Sequence, residues 1–391
     1  MKNKFSNIQN TSQNIDSTGF NWTMNCFSHP ERTVRLGTVF SGIGAVEQAF
    51  NRLNLNCKIQ FAGDIDGDCK KAYFANYSID EQRWHEDICT FDATPFKGQV
   101  DLLVGGAPCQ AFSIRGKRGG FEDTRGTLFS EFARVVIESQ PKIFIFENVK
   151  GLLNHDKGHT WNVIKKTFEE DCGYDVYYQV LNSKDYGIPQ SRDRVFCIGF
   201  KKKVDFKYPA PIPLEKKMYD LLEREVDSKL FLKEKGVRFI TKTINHQKSY
   251  TQINGEVMLC QKRNQQFNWH GDFVFHPVID EEAADPSLID YTFKVADYEE
   301  GYFINESIGR YQLLPIGNNK YSMSRAQAGG RVEKGCFRKL SPRECLRLMG
   351  FDDSFKIVVS DTACYKQSGN SIVVDVLMAI LSQIDITKYG V

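Results

Sequence analysis

Between Val34 and Phe200 the chain keeps repeating one unit: a short apolar stretch that runs into glycine or an acid, followed by a helical period. Val34 to Phe40 reads as a strand ending in a glycine turn, and apolar residues at helical spacing follow at Val46, Phe50 and Leu53. Lys58 to Ala62 is a second strand, closed by Asp64 and Asp66, and Val100 to Val104 runs into Gly-Gly-Ala-Pro-Cys109. Phe129 to Ile137 is helical. Lys142 to Phe146 is a β-branched and aromatic strand ending in Glu147-Asn148, and Tyr174 to Leu181 and Arg194 to Phe200 are two more. Strands alternating with helices predict an α/β fold with a mostly parallel sheet, which binds ligands at the carboxyl ends of its strands.

The rhythm stops near residue 205. Tyr208-Pro-Ala-Pro-Ile-Pro213 excludes helix and central strand. Residues 214–335 carry no βα repeat, with Lys and Arg dominant to about 250 and an acidic run from Asp280 to Glu300. At 391 residues a large domain plus a smaller one is expected. The divisions are a polar tail over 1–33, a first domain over 34–207 and 362–391, and a second over 208–361. Ser341-Pro342 with Glu344 predicts a capped helix start. Asn370 to Ile384 reads as an apolar helix that returns to the first domain.

Composition excludes several classes. The 11 cysteines are scattered, odd in number and form no CxxC pair, which predicts free thiols rather than disulfides or zinc. No apolar run approaches the ~20 residues of a membrane span, and the N-terminus lacks the apolar core of a signal peptide. A soluble cytoplasmic protein with no metal is expected. A net charge of +2 neither requires nor excludes nucleic acid, because binding depends on a local basic face.

Two segments carry chemistry. In Phe40-Ser-Gly-Ile-Gly-Ala45, glycines between strand and helix let backbone N–H groups approach a ligand. Asp64 ends the next strand, where an acid can grip ribose hydroxyls. That pair fits NAD, FAD or S-adenosylmethionine (AdoMet) enzymes equally. Gly106-Ala-Pro108-Cys109-Gln110 is more specific, since proline stiffens a strand terminus from which a cysteine emerges. A Gly- and Arg-rich loop, Ser113-Ile-Arg-Gly-Lys-Arg-Gly-Gly120, follows it, and Glu147 and Arg194 stand at strand edges downstream.

Phe40 to Ala45, Pro108-Cys109-Gln110, Glu147-Asn148-Val149, Gln190-Ser-Arg192-Asp-Arg194, Arg338-Lys-Leu-Ser-Pro-Arg-Glu344 and Gly369-Asn370-Ser371 occur in that order. Together they resemble the ordered motifs of bacterial C5-cytosine DNA methyltransferases of the HhaI restriction–modification type, over residues 34–200 and 336–384. The resemblance implies a Rossmann-like AdoMet-dependent methyltransferase domain with a mixed, mostly parallel sheet, and a smaller target-recognition domain. It implies Cys109 as the nucleophile at cytosine C6 and Glu147 as the acid at N3. Arg194, with Arg192 in support, orients the carboxylate and the base, and Asn148 fixes the Pro108–Cys109 turn.

For AdoMet, the resemblance places Phe40, Ser41, Gly42, Ile43 and Gly44 at the methionine, Asp64 at the ribose, and Ile65, Asp87 and Ile88 at the adenine. Gly106, Pro108, Leu128, Asn370 and Ser371 complete the pocket. Double-stranded DNA is the implied partner. A cytosine in a duplex must be flipped out to be reached, and Arg115, Lys117, Arg118 and Arg125 could close over it and meet phosphates. A monomer, a separately acting cognate endonuclease and a bacterial, nucleoid-associated location are implied likewise. The sequence departs from the family at Ala45, a glycine elsewhere, and at Ile65, often an aromatic. Tyr321-Ser-Met-Ser-Arg325 stands where a Thr-Leu or Thr-Ile pair usually closes the recognition region.

Three other readings compete. A tRNA-modifying branch of the same family tends to have Pro-Pro-Cys-Gln-Pro, whereas this chain has Ala107-Pro-Cys-Gln-Ala111. An inactive DNA-binding regulator has no reason to keep Cys109, Glu147 and Arg194 together. A nicotinamide-dependent dehydrogenase leaves Pro108-Cys109-Gln110 and Gln190-to-Arg194 unexplained.

Overall fold

The computed structural model describes residues 22–24, 26–108, 128–232, 236, 239–240, 251–264, 270–277, 302–305, 309–317, 320–326 and 335–391. The βα repeat folds with the predicted strands and helices in place and with α2, β3 and α4 in addition: β1 (Thr33–Val39), α1 (Ala45–Arg52), β2 (Asn56–Gly63), α2 (Gly67–Asn76), β3 (Trp84–His85), β4 (Leu102–Gly105), α3 (Leu128–Ser139), β5 (Ile143–Val149), α4 (His159–Lys166), β6 (Asp175–Asn182) and β7 (Asp193–Phe200). These strands form one seven-stranded sheet in the order β3-β2-β1-β4-β5-β7-β6. The pairs β2–β3, β1–β2, β1–β4 and β4–β5 are parallel, and β7 alone runs against its neighbours β5 and β6.

Because both faces are covered, the strands read as apolar runs without polar alternation. On one face Val34, Leu36, Leu102, Val104, Ile143, Ile145, Phe196, Ile198 and Phe200 pack with Val46, Ala49 and Phe50 of α1. The C-terminal helix closes this face. It is not continuous from Asn370 but is two helices, α6 (Asp361–Asn370) and α7 (Val374–Ile384). On the other face Val39, Leu103, Phe144, Phe146, Val195 and Cys197 pack with Phe129, Phe132 and Val136 of α3 and with Phe168. The aromatic rings there meet edge-on or tilted, as between Phe129 and Phe168 at 5.3 Å. Gly199 is small of necessity: a Cβ there would lie 2.1 Å from the Phe144 ring.

Part of the N-terminal segment expected as a loose tail is packed. Trp22 is buried, and its indole N–H donates to the Ala210 carbonyl at 3.0 Å.

Beyond the proline-rich stretch lie two small sheets. Strands β8 (Thr251–Ile253), β9 (Gly271–Pro277) and β13 (Gly335–Lys339) form one, in the order β13-β9-β8. Strands β10 (Tyr302–Asn305), β11 (Gly309–Gly317) and β12 (Lys320–Ala326) form an antiparallel meander. The helix predicted after Leu340 is α5 (Pro342–Arg347), and Ser341 and Glu344 make the reciprocal capping box that their spacing implies. Glu344 also accepts two hydrogen bonds, of 2.8 and 2.9 Å, from Arg338, both side chains fully buried. The Arg338-to-Glu344 motif therefore ties β13 to α5.

Candidate active site

The glycine turn after β1 is a run of left-handed backbone: Phe40, Gly42 and Gly44 have φ of 54°, 55° and 79°. Such angles suit glycine and strain other residues. The turn is fixed on both sides. Asp64 accepts from the Gly42 N–H at 3.0 Å and from the Asp66 N–H at 2.9 Å. The Ser41 hydroxyl accepts from the Gly63 N–H at 2.8 Å and meets the Thr38 hydroxyl at 2.7 Å. Burial pushes the Asp64 carboxyl above its usual range, against those two backbone bonds. Ile43 is buried, whereas Ile65 beside Asp64 is 82% exposed.

The next loop along the same sheet edge carries Asp87 and Ile88. Asp87 accepts from the Cys89 N–H at 2.9 Å, and the Ile88 side chain is buried among Val39 and Phe61.

At the carboxyl ends of β4 and β5 the antiparallel β7 matters most. Its register sets Arg194 opposite Val149 and Phe196 opposite Glu147. Side chains alternate across a strand, so Glu147 and Arg194 continue the apolar rows Ile143–Ile145 and Phe196–Ile198 on one face. There Arg194 Nε lies 3.2 Å from Glu147 Oε1. Burial pushes the Glu147 carboxyl up, and Arg194 and then Arg192 oppose that rise. Gly106 lets the β4 turn sit against this group, since a Cβ there would be 3.0 Å from Glu147 Oε2. The Asn148 amide donates to the Ala107 carbonyl at 2.8 Å, which pins the turn leading to the exposed Pro108.

Among the described residues Arg192 reaches no carboxylate. Its guanidinium is buried and donates to the carbonyls of Gln261 at 2.8 Å, Ser371 at 2.8 Å and Gly369 at 3.2 Å. Burial and then the Arg194 charge lower its pKa to about 10. Gln190 joins the same junction, donating to the Leu348 carbonyl at 2.7 Å and accepting from the Gln261 N–H at 3.0 Å. The chain at Lys262-Arg263 passes so close to Gly369 that a Cβ would lie 2.5 Å from backbone. Asn370 is exposed and Ser371 buried at the α6 end, and Leu128 is half-buried at the start of α3. Cys109, Arg115, Lys117, Arg118 and Arg125 lie outside the described residues.

Three participants escaped the sequence reading. Cys260 Sγ lies 3.9 Å from both Arg192 Nη1 and Arg194 Nη1. Glu47 of α1 is buried beneath the glycine turn, where it accepts from Tyr73 and Thr38. Arg134 of α3 holds the Asp87 loop. Only Glu47 left a trace, as an acid on the apolar side of a helix beside Val46 and Phe50. The others are brought in by tertiary contacts alone.

The model for C-5 cytosine-specific DNA methylases matches residues 34–385. The chain belongs to that family. Its activity is accordingly that of a DNA cytosine-5 methyltransferase, as the family match and the relatives agree. The type II methyltransferase M.HpaII of Haemophilus parainfluenzae is 35% identical over 347 residues, covering 87% of this chain and 86% of that protein. M.HhaI of Haemophilus parahaemolyticus is 32% identical over 351 residues, covering 89% and 93%. The orphan methyltransferase M.SPRI of Bacillus phage SPR is 31% identical over 435 residues, covering 90% and 97%. In structure, a mutant DNMT2 of Spodoptera frugiperda superposes with a TM-score of 0.63 at 19% identity, over 90% of this chain and 99% of that one. That likeness establishes a shared methyltransferase fold. Among the described residues no cluster of metal-ligating side chains occurs, and no helix is long and apolar enough to cross a membrane.

Proposed function

We propose that this methylase takes its methyl group from AdoMet and activates a flipped cytosine of duplex DNA through a covalent Cys109 adduct. The observation that carries the reading is Glu147, a buried carboxyl with its pKa raised, held by one arginine at the mouth of the Pro108 turn. The Cys109 sulfur forms a bond to C6 as thiolate, and the C5=C6 electron pair moves into the ring toward N3. Glu147, protonated or sharing a proton with N3, meets that charge, which is why a raised carboxyl pKa serves the step. Arg194 orients the carboxylate and O2 of the base, and Asn148 fixes the turn that presents Cys109. Arg192 acts at one remove, clasping the 260–261 and 369–371 segments around the site. AdoMet, when bound, supplies the methyl electrophile that C5 takes up. Loss of the C5 proton then restores the double bond and expels Cys109.

The first loop fits such a cofactor. Gly42 has open space where a Cβ would stand, and Ile65 offers an exposed apolar face beside Asp64. Phe40 to Gly44 would hold the methionine end, Asp64 the ribose, Ile65, Asp87 and Ile88 the adenine, and Gly106, Pro108, Leu128, Asn370 and Ser371 the remaining wall. Arg115, Lys117, Arg118 and Arg125 would meet phosphates, and the sheets of residues 208–361 would read the target. Protection of that target from a separate endonuclease is the role the type II relatives support, although M.SPRI is named an orphan.

Labelled AdoMet should transfer label to duplex DNA as 5-methylcytosine, with Cys109→Ser losing it and tRNA staying unlabelled. Label in tRNA alone would move the chain to an RNA substrate. AdoMet binding without transfer to either would favour a regulator.

A further inference from the structure

The loop after β3 closes on itself through turn hydrogen bonds at Asp87, Ile88, Cys89, Thr90 and Phe91, and the side chain of one α3 residue ties that turn to the helix. Arg134 Nη2 donates to the Ile88 carbonyl at 2.6 Å, and Nη1 donates to the Phe91 carbonyl at 2.8 Å. The same guanidinium pairs with Glu131 at 2.9 Å and Glu138 at 2.7 Å, neighbours at helical spacing on α3. Glu138 in turn accepts from the Ala93 N–H at 3.0 Å. Three backbone groups of residues 88–93 are thus held by one Arg–Glu unit. Beneath the loop, Phe91 stacks on His85 at 4.1 Å and packs on Phe61 at 4.9 Å.

A planar guanidinium is suited to this task because its donors point in fixed directions, so two carbonyls can be held at once while the acids neutralise the charge. Lysine offers a point charge and cannot reproduce the fork. Ion pairs this exposed, with about a quarter of each side chain open to solvent, contribute little stability by themselves. The consequence of the arrangement is geometric.

We infer that Arg134 is a positioning residue for the adenine end of the cofactor site, fixing Asp87 and Ile88 in the register that selects adenine. The inference rests on the proposed placement of adenine against Asp87 and Ile88. It assigns to α3, whose inner face packs under the sheet, a second task at its outer face.

The test uses the full chain and two ligands, AdoMet and its counterpart with hypoxanthine in place of adenine. Arg134→Lys should weaken AdoMet binding by about tenfold, one charged hydrogen bond's worth, and narrow the preference for adenine over hypoxanthine. The methylation rate at saturating AdoMet, and KM for DNA, should stay within about twofold. Glu131→Gln removes one ion pair and leaves both carbonyl bonds, so it should bind like the unchanged protein. Arg134→Gln, which can reach only one carbonyl, provides the same reading should the lysine variant fold poorly. Equal losses for both ligands, or an unchanged AdoMet Kd, would overturn the inference and leave Arg134 a scaffold residue. Asp87→Asn separates the two claims. If it alone erodes the adenine preference, the adenine placement stands and the role of Arg134 falls. If neither Asp87→Asn nor Arg134→Lys alters the preference, the placement itself fails.

Discussion

The two ends of the central strand pair β4–β5 each bury a carboxylate beside arginine, with opposite results. At the amino end Asp101 is fully buried. Arg35 grips it with Nε at 2.9 Å, Nη2 at 2.8 Å and its backbone N–H at 2.9 Å, and Lys142 adds a contact at 2.8 Å. Burial alone would raise this carboxyl, but the hydrogen bonds and charges of Arg35 and Lys142 hold it below its usual range. At the carboxyl end Glu147 has, among the described residues, a single ion-pair contact, to Arg194 at 3.2 Å, and burial wins. A saturated carboxylate is fixed in one charge state and serves as a rivet. An undersupplied one is left able to hold a proton, which is what acid catalysis at a ring nitrogen requires. Glu47 extends the series: it is buried with Tyr73 at 2.5 Å and no cation in contact among the described residues, and burial lifts its pKa to about 6.

The comparison breaks most sharply on isosteric substitution. Glu147→Gln should cut methyl transfer by at least about a hundredfold, without lowering Tm, because it removes a buried acid that was poorly compensated. Asp101→Asn should do the reverse, costing about 2–3 kcal/mol of stability by leaving Arg35 and Lys142 unmatched, with activity per folded molecule kept. Thermal melts beside initial rates decide it, and a rate loss in Asp101→Asn matching that of Glu147→Gln would refute the division. Removing the charge by Arg194→Gln should slow the reaction and also move its alkaline limb upward by on the order of one pH unit, since the larger of the two charges that oppose the rise at Glu147 is gone. A limb that stays put or moves down would show that Glu147 does not set it.

The smallest effect concerns Glu47. A carboxyl raised in the folded state favours folding below its unfolded pKa, and that contribution is lost as pH rises through the folded value. Relative to Glu47→Gln, the unchanged protein should therefore lose about 2 kcal/mol between about pH 4 and pH 7, from a displacement of some one and a half units at 1.36 kcal/mol each. Urea denaturation at the two pH values measures it, and a flat difference would mean that the Tyr73 and Thr38 bonds already offset burial.

Much of the fold was legible. The six apolar stretches became six of the seven strands of the sheet at nearly the expected residues, because strands buried on both faces must be apolar throughout, whereas the two-residue β3 left no such run. The capping box at Ser341 and Glu344 was equally readable, being a local hydrogen-bond pattern three residues long. The family motifs located the residues now found around the carboxyl edge. What they could not convey is how those residues divide their work. Arg192 and Arg194 sit two apart on one strand edge and look interchangeable in sequence, yet one clasps three carbonyls and the other faces Glu147.

That division depends on contacts between segments distant in the chain. Local sequence determined the strands, the helices, the left-handed glycine turn and the capped start of α5, since each follows from side-chain burial or backbone sterics within a few residues. Only the tertiary structure decided that β7 enters antiparallel and brings Arg194 to Glu147, that residues 260–263 cross over Gly369, and that Arg134 reaches the Asp87 loop. The register of strands and the reach of a guanidinium are settled by packing of the whole core, and the proton affinity of Glu147 follows from how many donors that packing leaves beside it.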